Sequence, residues 1–214
     1  MLCGVDESNF SPSLAGDCIV CALVRTGREV EGVTDSKKLS QKKRLELFAE
    51  LQRESLYYVV PATPNSISEV NIYIARNIAV YCAVRGLLSL LSFRVGERVE
   101  KVLLDGKWSK SWLSALGEKL DIPFEGVVNG DDTVYEISAA SVVAKCYCDA
   151  LFAGWEQLYP DWAVNCHHGA LTRGDKEVLR TRGPSPLHRV GAYGRGWWRA
   201  IFSYDLKRDK REKG

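Results

Sequence analysis

Three short apolar runs in this chain end in acids: "GVDE" at Asp6 and Glu7, "LLDG" at Asp105, and "VNGDD" at Asp131 and Asp132. Between them lie stretches with a helical period. Strands that alternate with helices predict an α/β layer fold, in which the helices wall the sheet and the strand ends are left at its edge. Residues 2–6, 18–25, 57–64, 99–106 and 123–132 read as strands from their β-branched and apolar content and from the Gly and Pro around them. Helices are expected over 40–54, 66–91, 110–120, 136–158 and 172–183. The first has Ser40 to cap it and Leu45, Phe48 and Leu51 on one period. The second opens on a capping box, with Ser66 or Ser68 as cap and Glu69 three residues after Ser66. The fourth begins in small residues, suited to close packing, and the last stops at Gly183. A short link joins the first two strands, so the sheet is expected to be mixed.

At 214 residues the chain is long enough for one sizeable core. A net charge of +2 does not by itself announce nucleic acid, but its distribution is uneven. Residues 195–214 hold seven basic and three acidic side chains, a net of +4, and leave the rest near −2. A basic tail on a mildly acidic body suits an anionic partner. The aromatics in that tail, Trp197 and Trp198 among them, are read as packing residues, and Lys207–Lys213 as weak phosphate attraction. No basic, then apolar leader opens the chain, and the apolar region around 72–91 is interrupted by Arg76, Asn77 and Arg85, so it reads as a helix of the fold. Seven cysteines, an odd number with no framework, suggest reduced thiols and a cytoplasmic protein. The "CIVC" spacing is apolar throughout and is rejected as a redox or zinc motif. Cys146 and Cys148 lie two apart on a helix and do not share a face, so a zinc site with Cys166, His167 and His168 is rejected too.

Acids at strand ends are either solvated caps or a cluster. If Asp6, Glu7, Asp105 and Asp131 converge, they repel: two carboxylates ~4 Å apart cost roughly 4 kcal/mol at an effective dielectric near 20. Such a group raises its own pKa values or takes a cation, and all-oxygen donors suit Mg²⁺ or Mn²⁺ rather than zinc. Two such ions are the arrangement for in-line attack of water on a phosphodiester. One geometric constraint applies. Neighbours on a strand point to opposite faces, so Glu7 is expected to sit past the strand end or to reach round it.

Several ordered motifs resemble the ribonuclease HII family over about residues 3–190: "GVDE", "VTDSKKLSQKKRLELF", "SISEVNIYIA", "LLDG", "NGDDTVYEISAASVVAK", "YPDW", "HHG" and "GPSPLHR". The resemblance implies a ribonuclease H-like fold, with a mixed central sheet flanked by helices and a C-terminal helical part. It implies endonucleolytic cleavage of RNA paired to DNA, with two divalent ions, Mg²⁺ or Mn²⁺. By position the family's four carboxylates fall on Asp6, Glu7, Asp105 and Asp131, the last chosen over Asp132 by its spacing from "SAAS". Lys37 and Lys38 are expected to contact phosphates, and Lys145, His188 and Arg189 are carried as substrate-side candidates.

The departures from the family's pattern are as informative. Its Gly-Arg-Gly loop, which reads the ribose 2′-hydroxyl, corresponds here to Asn9, Phe10 and Ser11. Its junction tyrosine corresponds to Ala170, and the Lys before it to His168. Of its Thr-Arg-Asp only Asp149 remains. The resemblance thus implies that the cutting residues survive while the substrate-reading residues do not, and that junction specificity is altered. A nucleic-acid binder without catalysis, or a nuclease redirected to DNA, are the alternatives. The expected organisation is a catalytic domain over 1–194 and a basic aromatic tail over 195–214, acting as a monomer on nucleic acid and not on a membrane.

Overall fold

The structure, a computed structural model, describes residues 1–10, 15–94, 96–162 and 173–190. In chain order the elements are β1 (Leu2–Ser8), β2 (Cys18–Arg25), α1 (Gln41–Glu54), β3 (Ser55–Ala62), α2 (Pro64–Val70), α3 (Ile72–Leu91), β4 (Lys101–Asp105), α4 (Lys110–Leu120), β5 (Phe124–Val127), α5 (Gly130–Thr133), α6 (Tyr135–Leu158) and α7 (Arg173–Arg182). Short 3-10 turns occupy Ser36–Lys38 and Pro160–Trp162. The chain forms two compact units. One comprises Met1–Ser8, Ile19–Pro61 and Arg76–Cys148; the other comprises Asn9–Cys18, Ala62–Ala75 and the described residues from Asp149 onward.

The sheet runs β3-β2-β1-β4-β5, with β1 antiparallel to β2 and parallel to β4, and β4 parallel to β5. It is mixed, as the short first link predicts. Cys18 to Val24 of β2 are all buried, the continuous apolar run of a strand covered on both faces. The small residues at the start of α6 do what their size suggests. A Cβ on Gly4 of β1 would lie 2.1 Å from the backbone carbon of Glu136, so only glycine lets the strand and this helix approach so closely. Ile137, Ala139, Ala140, Val143 and Ala144 are consequently buried. Both α3 and α6 have the length and hydropathy of a membrane span, but 61% of the most apolar window of α6 is buried, as in a core helix.

Three expectations are corrected. On α1, Leu45 is 54% exposed; Leu47 and Leu51, four apart, carry the buried face instead. The helix expected over 66–91 is two. Thr63 caps α2, with Pro64 at its first position, and Asn71 at φ 76° and ψ 162° then breaks the run. Asn71 Oδ1 accepts from the N–H groups of Tyr73 and Ile74 at 3.0 and 3.1 Å, so it restarts the helix it interrupts. Finally, β5 stops at Val127, and Asp131 and Asp132 lie on the one-turn α5 rather than on a strand end.

Candidate active site

Parallel pairing brings the C-terminal ends of β1 and β4 to one edge. Val5 is opposite Leu104, so Asp6 and Asp105 are the next residues on adjacent strands. Asp105 Oδ1 accepts the backbone N–H of Asp131 at 3.2 Å, which draws α5 to the same edge. The first turn of α6 holds α5 from below, with Ser138 Oγ donating to the Asp131 carbonyl at 2.7 Å. Asp131 is 8% exposed, whereas Asp132 is exposed and pairs with Lys38. Of the two, Asp131 is the one turned inward at this edge.

The strand alternation holds for Asp6 and Glu7, but not as expected. β1 continues through both to Ser8, so Glu7 does not lie past its end. Asp6 is 5% exposed, and its Oδ1 accepts the Glu7 N–H at 2.7 Å; Glu7 points toward α3, where Arg76 Nη1 lies 3.4 Å from its Oε1. Burial, then the charges of Glu7 and Asp105, push the Asp6 carboxyl well above the ordinary carboxylate range. Burial also raises Glu7; Arg76 opposes this and Asp105 adds to it. Asp131 is raised by burial and by Asp105 and Asp35, against the pull of Lys37. The charge of Asp105 thus contributes to raising each of these three carboxyls. Among the described residues, however, no three His, Cys, Asp or Glu side chains are drawn tightly enough together to enclose an ion as they stand. Two of the acids instead carry a cation from the chain itself, Arg76 on Glu7 and Lys37 on Asp131.

The "DSKK" segment is a capped turn docked on α6. Asp35 Oδ1 accepts from the Lys37 N–H at 3.0 Å, and Ser141 Oγ donates to Ser36 Oγ at 2.9 Å. Arg44 Nη1 donates to the carbonyls of Ser36 and Leu39 at 3.1 and 2.6 Å. This places Lys37 Nζ 3.5 Å from Asp131 Oδ2 and Lys38 on Asp132. Partial burial works against the Lys37 charge, but Asp35, Asp131 and Asp6 outweigh it, and its pKa is raised. Lys145 is half-buried on α6.

The other unit contains the loop after β1. Asn9 adopts φ 63°, and its Nδ2 donates to the carbonyls of Ala15 and Asp17 at 3.1 and 2.8 Å. Arg189 spans the same loop: Nε donates to the Gly16 carbonyl at 2.9 Å, Nη1 to Phe10 at 3.1 Å and Nη2 to Asn9 at 2.6 Å. It is 0% exposed, so it braces the loop from inside and is not the substrate contact the sequence suggests. His188 is buried too; its Nδ1 lies 2.8 Å from Ser185 Oγ and its backbone bridges Ala15. The Phe10 ring meets Tyr73 edge-on at 5.4 Å. Ser11, His168, Ala170 and the tail over 195–214 lie outside the described residues.

Sequence reasoning missed Arg76 and Trp108. The signal for Arg76 was a pair of arginines, Arg76 and Arg85, in an apolar helix, used only as an argument against a membrane span. All six described cysteines are free thiols, and burial pushes Cys3 up to about 12, in keeping with packing rather than chemistry.

A sheet ordered 3-2-1-4-5, with carboxylates near the C-terminal ends of its parallel strands β1 and β4, defines a ribonuclease H-like fold. Ribonuclease H2 from Pyrococcus horikoshii OT3 superposes with a TM-score of 0.73 at 21% identity, over 95% of this chain and 97% of that one. Bst-RNase HIII in complex with Mn²⁺ gives 0.66 at 13% identity, over 98% of this chain and 70% of that one. These two establish the fold. In sequence, the family model for ribonuclease HII matches residues 3–191. Ribonuclease HII of Neisseria meningitidis serogroup C (strain 053442) is 37% identical over 188 residues, 87% of this chain and 89% of the relative. The chain belongs to the ribonuclease HII family, and it is a ribonuclease H-type endonuclease, a hydrolase of nucleic acid. The family's dependence on a divalent metal fits the donors present. They are carboxylate oxygens only, and three of the four carboxyls have raised pKa values that a cation would relieve.

Proposed function

We propose that this chain hydrolyses phosphodiester bonds of RNA in RNA/DNA hybrids, with Asp6, Glu7, Asp105 and Asp131 holding two Mg²⁺ or Mn²⁺ ions. The observation that carries this is the desolvated, mutually repelling acid set at the ends of β1 and β4 and on α5, which needs more positive charge than the chain supplies. The Mn²⁺ bound by the related Bst-RNase HIII supports the same donor chemistry. When bound, the ions lower the pKa of the attacking water and stabilise the leaving oxygen. The chain's own part is to hold the donors. The Glu7 N–H orients Asp6, the Asp131 N–H orients Asp105, and Ser138 fixes α5. Lys37 and Lys38 supply positive charge for the phosphate backbone.

We further infer that this chain does not require a single embedded ribonucleotide at an RNA–DNA junction. Asn9, Phe10 and Ser11 stand where the family's ribose-reading glycines and arginine are expected, and a backbone that depended on glycine there is not copied. A panel of labelled DNA, RNA, hybrid and single-ribonucleotide duplexes, with Mn²⁺ and with Mg²⁺, tests both statements. Cleavage of the hybrid, abolished in Asp105→Asn, is expected. Cleavage of DNA alone, or none, refutes the first; efficient junction-selective cutting at one ribonucleotide refutes the second.

A further inference from the structure

Glu7 is held by a structure that its role as a ligand does not require. The Arg76 guanidinium lies with Nη1 3.4 Å from Glu7 Oε1 and Nη2 3.3 Å from Asn77 Oδ1, and its carbon is 3.9 Å from the centroid of the Trp108 ring. The Arg76 and Glu7 side chains are only 13% and 15% exposed. The indole is fixed in turn, because Trp108 Nε1 donates to the Asp105 carbonyl at 2.8 Å. The space it occupies exists because residue 126 is glycine; a Cβ there would lie 3.1 Å from Trp108 Cδ1 and 3.0 Å from the Gly106 carbonyl oxygen. The Arg76 guanidinium, carried by α3, is thus met by β1 through Glu7 and by the turn after β4 through Trp108, with Gly126 of β5 packed close to the indole.

A guanidinium is permanently charged, its planar face suits an aromatic ring, and its edge suits a carboxylate. Stacked in this way it is not a mobile surface cation that drifts off its partner. It neutralises one of the four acids whether or not an ion is present, and it stands close to any cation that Glu7 would bind.

We propose that Arg76, seated on Trp108, is a built-in competitor for Glu7 that sets how tightly this chain takes up a divalent ion. Arg76 acts through Glu7 and is a positioning residue, not a catalytic one. Its charge weakens the hold of Glu7 on the ion and keeps the carboxylate oriented in the ion's absence. The inference rests on the reading of Glu7 as a metal ligand.

The test is Mn²⁺ titration of the full chain by calorimetry near pH 8, without substrate. Arg76→Gln is expected to bind Mn²⁺ tighter by about tenfold or more, the order expected for deleting a unit charge a few ångströms from the ion's carboxylate. Arg76→Lys, which keeps the charge, is expected to stay within about threefold of the unmutated chain on the same argument. Trp108→Leu leaves both charges in place but removes the platform, and is expected to fall between; it also covers the case in which Arg76→Gln does not fold, as judged by thermal unfolding. A purely structural Arg76 would leave affinity unchanged or weaken it, so equal or weaker binding by Arg76→Gln and Trp108→Leu overturns the proposal. Asp105→Asn separates this from failure of the metal site itself. If neither the unmutated chain nor any variant binds Mn²⁺, both readings fall. If binding occurs and is lost in Asp105→Asn but does not respond at Arg76, only the competitor falls.

Discussion

Arg189 offers the sharpest test of how the loop after β1 is held. Replacing it with methionine keeps most of the apolar stem and removes every guanidinium donor. The carbonyls of Asn9, Phe10 and Gly16 then lose their N–H partners. A buried acceptor left unsatisfied costs about 1–3 kcal/mol, and the Asn9 and Phe10 bonds are only part-buried, so water recovers some of their share. Asp17, 9% exposed, also loses the nearby positive charge of Arg189. The sum is roughly 3–5 kcal/mol, the range seen when one partner of a buried charged network is removed. For a chain of this size each kcal/mol moves Tm by about 2–4 °C, so Arg189→Met is expected to lower Tm by roughly 10 °C. Calorimetry and urea unfolding monitored by near-UV circular dichroism measure this. Arg189→Lys should recover less than half of the loss, because a point charge does not span three carbonyls. A Tm for Arg189→Met within about 2 °C of the unmutated chain would refute the brace, since that is what a surface substitution gives.

Gly4→Ala should destabilise the chain by more than the ordinary overpacking cost of about 1–3 kcal/mol, because its Cβ would meet helix backbone rather than a movable side chain; urea midpoints check it. Burial raises the pKa of Asp17, and Arg189 offsets only part of this, so the folded state holds its proton more tightly than the unfolded state does. That contribution is fully present below the ordinary aspartate pKa and is lost as pH rises through the raised one; Asp17→Asn should flatten stability against pH in this window, as urea unfolding across the acid range would show. Changing Lys37 and Lys38 together to glutamine should lower the slope of log affinity against log salt for a hybrid duplex by about 1–2, measured by fluorescence anisotropy with Ca²⁺ in place of the activating ion.

The sheet was legible because β2 is apolar enough to be buried on both faces, and because acids lie near the C-terminal ends of β1 and β4. The placement of Asp6 and Asp105 side by side at one edge was legible for the same reason. What was not legible depended on side chains meeting across long separations. No periodicity predicts that Arg189 folds back onto Asn9 and Phe10, 180 and 179 positions away. The role of Asn71 was hidden because a helical pattern continues across it, while its side chain serves as cap for a new helix. Leu45 misled because a 3.6-residue period through Leu45, Phe48 and Leu51 fits almost as well as the one through Leu47 and Leu51; burial by the rest of the fold, not the local pattern, chooses between them.

The two cations already on the acids differ in a way that bears on how the site works. Lys37 reaches Asp131 with a side chain that is 77% exposed, and an exposed pair of this kind is worth about 0–1 kcal/mol. It can leave Asp131 for a phosphate at little cost. Arg76 is stacked on an indole and is 13% exposed, where a desolvated cation–π contact adds about 2 kcal/mol to the ion pair. The Asp131 side of the site is therefore released easily, and the Glu7 side is restrained. An acid set guarded equally on both sides would gain or lose its counter-charges together. Under the proposed function the lysine is expected to exchange first, so that phosphate arrival frees Asp131 while Glu7 stays oriented by its arginine.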